Sequence, residues 1–410
     1  MSCDEDPTIG KSTENASVTV SLPSTLQVES ITDEKISFKN ISTGQTTVFA
    51  SKSNIMLLDG LYDVSYEATA KTASNAEVKL SGHIASVQIS PSQTSVTIPA
   101  FVVNTGNDFI ISEIFFAGTL QTSGNNYTGD SYVKIYNNTG SVLYADGLTL
   151  VESKFTTTLK YDYTPNIMNE AVTVQALYTI PGSGKEHPVK PGESILLCDI
   201  AIDHRASNPN SFDLSHANWE WYDVSTVPAH QDIDNPDVSN LDKWYCYTQS
   251  IWILHNRGFK GYGIARIPVD KETYLKDYYY TYDYTMVLES GTYQMSGNAY
   301  KLPNEWVVDW VNCCVQSEFQ WIVSAPSLDQ GWTHCGSIDK DKTRFFHSVR
   351  RKMLYLKDDS IPYLQDTNNS TNDFNPDCIA SEIELQHSVY NQNGDKATTV
   401  TYDGVQVKSK

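Results

Sequence analysis

The sequence has no apolar run approaching the ~18 to 20 residues that a membrane-spanning helix takes, so no helix of it crosses a bilayer. It is poor in cations: 29 Lys and Arg stand against 49 Asp and Glu, a net charge of −20. Contact with nucleic acid or anionic lipid needs Lys and Arg to neutralise phosphate, so the balance argues against both. Catalytic signatures are missing too. There is no G-x-S-x-G elbow and no H-E-x-x-H pair, and PGSGKEH at 181–187 lacks the spacing and the Ser or Thr of a phosphate loop, so it reads as a turn. No cysteine pair has CxxC spacing, which removes the usual zinc and redox motifs.

What is present points to strands. Charged residues are 19% of the chain while Phe, Trp and Tyr reach 11%, and the middle is dense in Thr, Ser, Val, Ile and Tyr. At 410 residues the chain has room for two or three domains. Residues 1–15 are polar and acidic without periodicity and read as a tether. From Ser17 the runs SVTVSL, KISFKN, TTVFAS, HIASVQIS and SVTIPAFVV alternate and are separated by Ser, Asn, Asp and Gly, which predicts a β-sandwich over 16–104. A second all-β unit over 105–410 opens with DFIISEIFFAG and GDSYVKIYNNTG and carries large insertions. Six cysteines besides Cys3 leave disulfides and buried free thiols equally open.

Several stretches resemble known families. Ser2 and Cys3, followed by Asp4, Glu5 and Asp6, resemble the processing site of a bacterial lipoprotein and the acidic surface-export signal of Bacteroidetes lipoproteins. That resemblance implies lipid on the Cys3 sulfur and a cell-surface location at the outer membrane. No apolar leader precedes Cys3, and Met1 is read as standing where that leader has been removed. KISFKNISTGQTTVF followed by LLDGLYDVSYEA resembles transthyretin-like or carboxypeptidase-regulatory modules, and the "ISE", "YN", "DG-L-L" and "PG" elements of the second unit resemble a lamin-tail β-sandwich. NPNSFDLSHANWEWYD, LHNRGFKGYGIAR, YKLPNEWVVDWVN, QWIVSAPSLDQGWTHCG and DTNNSTNDF resemble the Bacteroidetes lipoprotein family known as domain of unknown function 4876. That family brings no chemistry with it.

Candidate binding residues come from the residue pattern. In KDYYYTYDYTM, Tyr278, Tyr280, Tyr282 and Tyr284 would share one face of a strand as a ladder of roughly 20 Å, either a stacking surface for a sugar or flat ligand or a face packed under an insertion. Trp219 and Trp221 in NWEWYD alternate in the same way and, with other loop tryptophans, offer an aromatic patch for a partner. For metals, His230, Asp232, Asp234 and Asp237 in AHQDIDNPDVSN, and Asp366, Asn368, Ser370 and Asp373 in the closing loop, could fold oxygen ligands around a Ca2+-like cation, or could simply form Asx turns. Arg257, Arg350 and Arg351 read as structural. The resulting expectation is a surface lipoprotein that is not an enzyme and binds a ligand as accessory to, or cap on, an outer-membrane TonB-dependent transporter, the last step by analogy. A structural or adhesive envelope protein is the alternative, and a surface hydrolase a more distant one.

Overall fold

The computed structural model describes residues 12–22, 26–72, 77–103, 108–357 and 360–406, so Cys3 and the acidic signal beside it lie outside the described residues. The chain divides into two units, Met1–Thr105 and Gly106–Lys410.

Alternation builds the first unit. The strand Gly60–Thr72 buries Tyr62, Val64, Tyr66 and Ala68, every second residue, as the two-residue period of a strand requires. It sits inside the order Thr46–Phe49, Val28–Asn40, Gly60–Thr72, Glu77–Ile89, Ser95–Val103, Thr13–Ser21, Ile55–Leu58. Ser95–Val103 changes partner midway: Ala100 to Val103 run antiparallel to Glu77–Ile89, while Ser95 to Pro99 run parallel to Thr13–Ser21. That crossing folds the path into two layers around Ile36, Phe38, Tyr66, Val96 and Ile98.

The second unit is also a β-sandwich, but both of its sheets are covered on their outer faces. One sheet runs Ser239–Asn240, Trp219–Glu220, Ser194–Cys198, Tyr132–Tyr136, Ile110–Phe115, His347–Arg351, Phe374–Ile379. The other runs Tyr279–Leu288, Gly291–Pro303, Ala171–Thr179, Leu148–Ser153, Gly261–Arg266, Val307–Asn312. Ile111, Ile114, Val133, Ile135 and Leu197 of the first meet Leu148, Leu150, Tyr178, Ile264 and Val311 of the second. The outer face of the first is closed by Phe212, Leu214, Phe345 and Ile383, and that of the second by Tyr274 and Val323. This covering is why all nine residues of Ala171–Thr179 are buried, where a half-exposed strand would alternate.

Two local features position the site described below. Trp310 lies flat over Gly261 and Gly263, where any Cβ would collide with its indole, so this aromatic reaches the sheet only because both positions are glycine. Ala171–Thr179 holds Gly291–Pro303 only through Tyr300 to Pro303, because Asp242–Cys246 occupies the same edge from Ala176 onward. The rest of the hairpin formed by Tyr279–Leu288 and Gly291–Pro303 therefore leaves the sheet as a two-stranded arm.

Candidate functional site

The tyrosine segment begins on a short helix. Asp270 caps Lys271–Asp277 by accepting from the Thr273 amide at 2.8 Å, and the helix ends at Tyr278, whose amide donates to the Tyr274 carbonyl at 3.0 Å. Tyr278 is thus a helix C-cap rather than the first rung of the ladder. Its ring stacks on Tyr274, with centroids 5.2 Å apart and planes at 9°. The strand proper is Tyr279–Leu288. Tyr280 and Tyr282 are buried and Tyr284 half-buried, while Tyr279, Thr281 and Asp283 are exposed on the other face.

A segment after the strand Leu148–Ser153 covers the ladder. Tyr163 packs edge-on to Tyr282 at 5.4 Å and against Tyr284 at 5.5 Å, Tyr161 leans on Tyr284 at 4.8 Å, and Phe155 stacks on Tyr163 at 3.9 Å. Two backbone bonds of 2.9 Å between Thr164 and Asp283 tie this segment to the strand's outer edge. Trp321 closes the far side, its indole N–H donating to the carbonyls of Thr156 and Leu159 at 2.9 Å each. Together these elements enclose a cavity of about 380 Å³, walled by Phe155, Tyr161, Tyr163, Tyr280 and Trp321 and edged by Lys160, Asp162, Asn166 and Thr173. The volume falls within the range of small-molecule sites. Burial raises the phenols of Tyr163 and Tyr280, and pushes that of Tyr282 up to about 12. All three are therefore neutral hydroxyls near pH 7. The covering aromatics were missed from sequence; the signal was the dense KYDYTP stretch, which lies outside any strand pattern.

The other candidate residues sit elsewhere, and the structure corrects them. Trp219 and Trp221 share a face, but it points into the core: Trp221 is fully buried, its indole N–H donating to the Trp252 carbonyl at 3.2 Å, so the pair forms no accessible patch. In the 230–237 loop the four side chains do not converge. Asp232 turns inward and accepts from the amides of Asp223 at 2.8 Å and Ile233 at 2.9 Å, Asp234 accepts from Asn240 at 2.9 Å, and His230 and Asp237 are exposed.

In the closing loop an arginine takes the place foreseen for a cation. The fully buried Arg351 donates to Asp309 at 2.5 Å and to Asp366 at 3.2 Å, with Asp373 at 3.7 Å. Asp373 also accepts from the Thr367 amide at 2.8 Å and hydroxyl at 2.7 Å, while Asn368 donates to the Ser327 carbonyl at 3.1 Å and Ser370 to Asp329 at 2.6 Å. Burial alone would lower the Arg351 pKa, but Asp309, Asp366 and Asp373 override it and keep the guanidinium charged.

Among the described residues, the ligand atoms of Asp146, Glu186 and His187 do approach one another within 4.8 Å. Asp146 is already engaged there by the amides of Gly184, Glu186 and His187 at 3.2, 2.9 and 2.9 Å, so its carboxylate holds the glycine turn of PGSGKEH in shape. The described cysteines are all free thiols, which settles the disulfide question for those six.

No curated protein matches the chain. A crystal structure of a DUF4876 family protein from Bacteroides thetaiotaomicron VPI-5482 shares the fold, with a TM-score of 0.52 and 19% identity over 88% of this chain and 95% of that one. The family model for a protein of unknown function, DUF4876, matches residues 190–381, which include Tyr280 and Trp321 but not the segment that covers them. From the turn before Ser194–Cys198 to the start of Ser381–Gln386, the chain is therefore similar to the DUF4876 family.

Proposed function

We propose that this chain is a non-catalytic binding protein that takes a neutral, hydroxyl-rich ring, a saccharide unit, in the cavity beneath residues 155–168. The supporting observation is the pairing of aromatic walls with a rim of mixed polarity. Carbon atoms in contact lie about 3.5 to 4 Å apart, so a ring sandwiched between two others needs them roughly 7 to 8 Å apart. Phe155 and Tyr163 are 3.9 Å apart and Tyr163 and Trp321 6.1 Å, so a ligand stacks on one face only. A pyranose suits that geometry, offering an apolar C–H face to the aromatics and hydroxyls to the rim. Lys160 and Asp162 bring opposite charges, favouring neither anion nor cation, while Asn166 and Thr173 both donate and accept.

The setting we propose is the outer-membrane surface, with lipid on Cys3 and a TonB-dependent transporter as partner. It is supported by the resemblance of Ser2-Cys3 and the acids after it to a surface-lipoprotein signal, the transporter being an analogy. Calorimetric titration with a panel of oligosaccharides, nucleosides and amino acids tests the ligand class. Binding should be confined to saccharides and should weaken in Lys160→Ala, an exposed rim variant that leaves the melting temperature unchanged, and in Asn166→Ala, which also gives up a 3.1 Å bond from the Met168 amide. Heat from nucleosides alone, or from none of the panel, refutes it. Pull-down from native outer membrane tests the partner, and mass spectrometry of the native N-terminus tests the lipid.

A further inference from the structure

The arm beyond the cavity carries an unprotected strand edge. Leu288 pairs with Gly291 across the Glu289-Ser290 turn, and the register runs without a bulge to Tyr279 opposite Tyr300. In a hairpin with a two-residue turn, the residues flanking the turn exchange backbone bonds, so Leu288, Met286 and Tyr284 face the partner strand and Val287, Thr285 and Asp283 face outward. The Thr164 bridge to Asp283 agrees, since it lies on that outer side. Past Asp283, no described residue bonds the outward backbone groups of Thr285 or Val287.

Nothing in the arm blunts that edge. Natural edge strands are protected by lysine, proline, bulges or a covering element, yet from Tyr284 to Met295 there is no Lys, no Pro and a single charge, Glu289. Val287 is 72% exposed, Leu288 50% and Tyr293 42%. A two-stranded ribbon without a third strand is only marginally stable in water.

We propose that the outer edge of Thr285–Val287 pairs antiparallel with the same edge of a second copy, joining two hairpins into a four-stranded sheet about a two-fold axis. The edge complements itself, and its near-neutral character permits a second copy as occupant despite the repulsion between whole chains. Each chain carries a net charge of −20, so self-association must use a surface that brings few acids together. With Val287 opposite its symmetry mate, Thr285 faces the other copy's Glu289, and the two Glu289 carboxylates lie four residues apart, about 13 Å along the strands. An antiparallel edge is self-complementary, as a two-fold interface requires.

Sedimentation velocity of the full chain in reducing buffer, where Cys3 cannot cross-link copies, tests this. The expected result is a reversible dimer whose dissociation constant rises at least tenfold in Val287→Lys and in Thr285→Pro. Proline there removes an outward N–H and the Thr285 side-chain bond to Gln294, but no backbone bond of the hairpin's own ladder, so Val287→Lys, which touches neither, serves as its control. Ile338→Lys, at a 58% exposed site elsewhere, should change nothing. A monomer up to roughly 100 µM, a range that covers micromolar affinities, overturns the proposal, including the case in which a different protein's strand uses the edge. A dimer indifferent to both arm variants also overturns it.

Discussion

Arg351 reaches Asp309, 42 residues away in the chain, with a 2.5 Å bond in the interior of the second sandwich. The same Asp309 oxygen accepts from the Ile111 amide at 2.6 Å, so one carboxylate joins three strands. Removing the guanidinium leaves Asp309, Asp366 and Asp373 facing one another without a cation. Arg351→Ala is expected to destabilise by about 3 to 5 kcal/mol, read from the denaturant midpoint, and Arg351→Lys should recover only part of that, because an ammonium cannot span the fork of acceptors.

The same cluster bears on metals. With Asp366 and Asp373 held by Arg351 and by loop donors, and Asp232 turned inward, melting curves in chelator and in millimolar calcium should superimpose. A native-state ligand would instead raise the midpoint with its free concentration.

Glu382 supplies a pH dependence. Burial would raise its pKa, but His216 at 3.1 Å and Lys134 at 2.6 Å overcome this and hold it at about 2, below the ordinary 4.5. A depressed carboxylate stabilises the fold above its unfolded value, and that contribution is lost as pH falls from about 4.5 through 2. His216 is raised above 6.5, chiefly by the bond to Glu382, so its contribution is complete below 6.5 and fades at higher pH. Melting temperature should therefore be highest between these limits. Glu382→Gln should flatten both arms, since it also removes the partner that raises His216, whereas His216→Ala should flatten the alkaline arm and leave Lys134 to sustain part of the acid one.

The tyrosines separate by burial. Tyr280→Ala and Tyr282→Ala should each cost about 3 kcal/mol or more by opening cavities beneath the covering segment. Tyr279→Ala, at a 47% exposed position, should stay within about 0.5 kcal/mol. Equal shifts at all three positions in a denaturant series would contradict the packing described.

Legibility followed the range of the physics. The strand Tyr279–Leu288 was readable because alternation is local, and so was the packing of its tyrosine face under an insertion as one of two open readings. Tyr278 falls outside the ladder, and the sequence hides this because the Asp270 cap and the roughly two turns of helix before it leave a weak trace beside four alternating tyrosines. Trp219 and Trp221 alternate as an exposed strand would, but alternation says only that two residues share a face, not which layer that face meets. Arg351 reads as structural from the sequence, yet two of its partners, Asp366 and Asp373, read as cation ligands and Asp309 carries no signal, since charge pairing between distant segments leaves no spacing in the sequence. Phe155, Tyr161 and Tyr163 escaped for a similar reason: their segment follows the shape of the face it covers and has no period of its own.

The strand Tyr279–Leu288 serves two masters, flooring the cavity with Tyr280 at one end and presenting Thr285 and Val287 at the other. Between them Asp283 is latched to Thr164, in the segment that roofs the cavity. Thermodynamic reciprocity then constrains the two ends: if pairing of the arms tightens saccharide binding by some factor, saccharide must tighten pairing by the same factor.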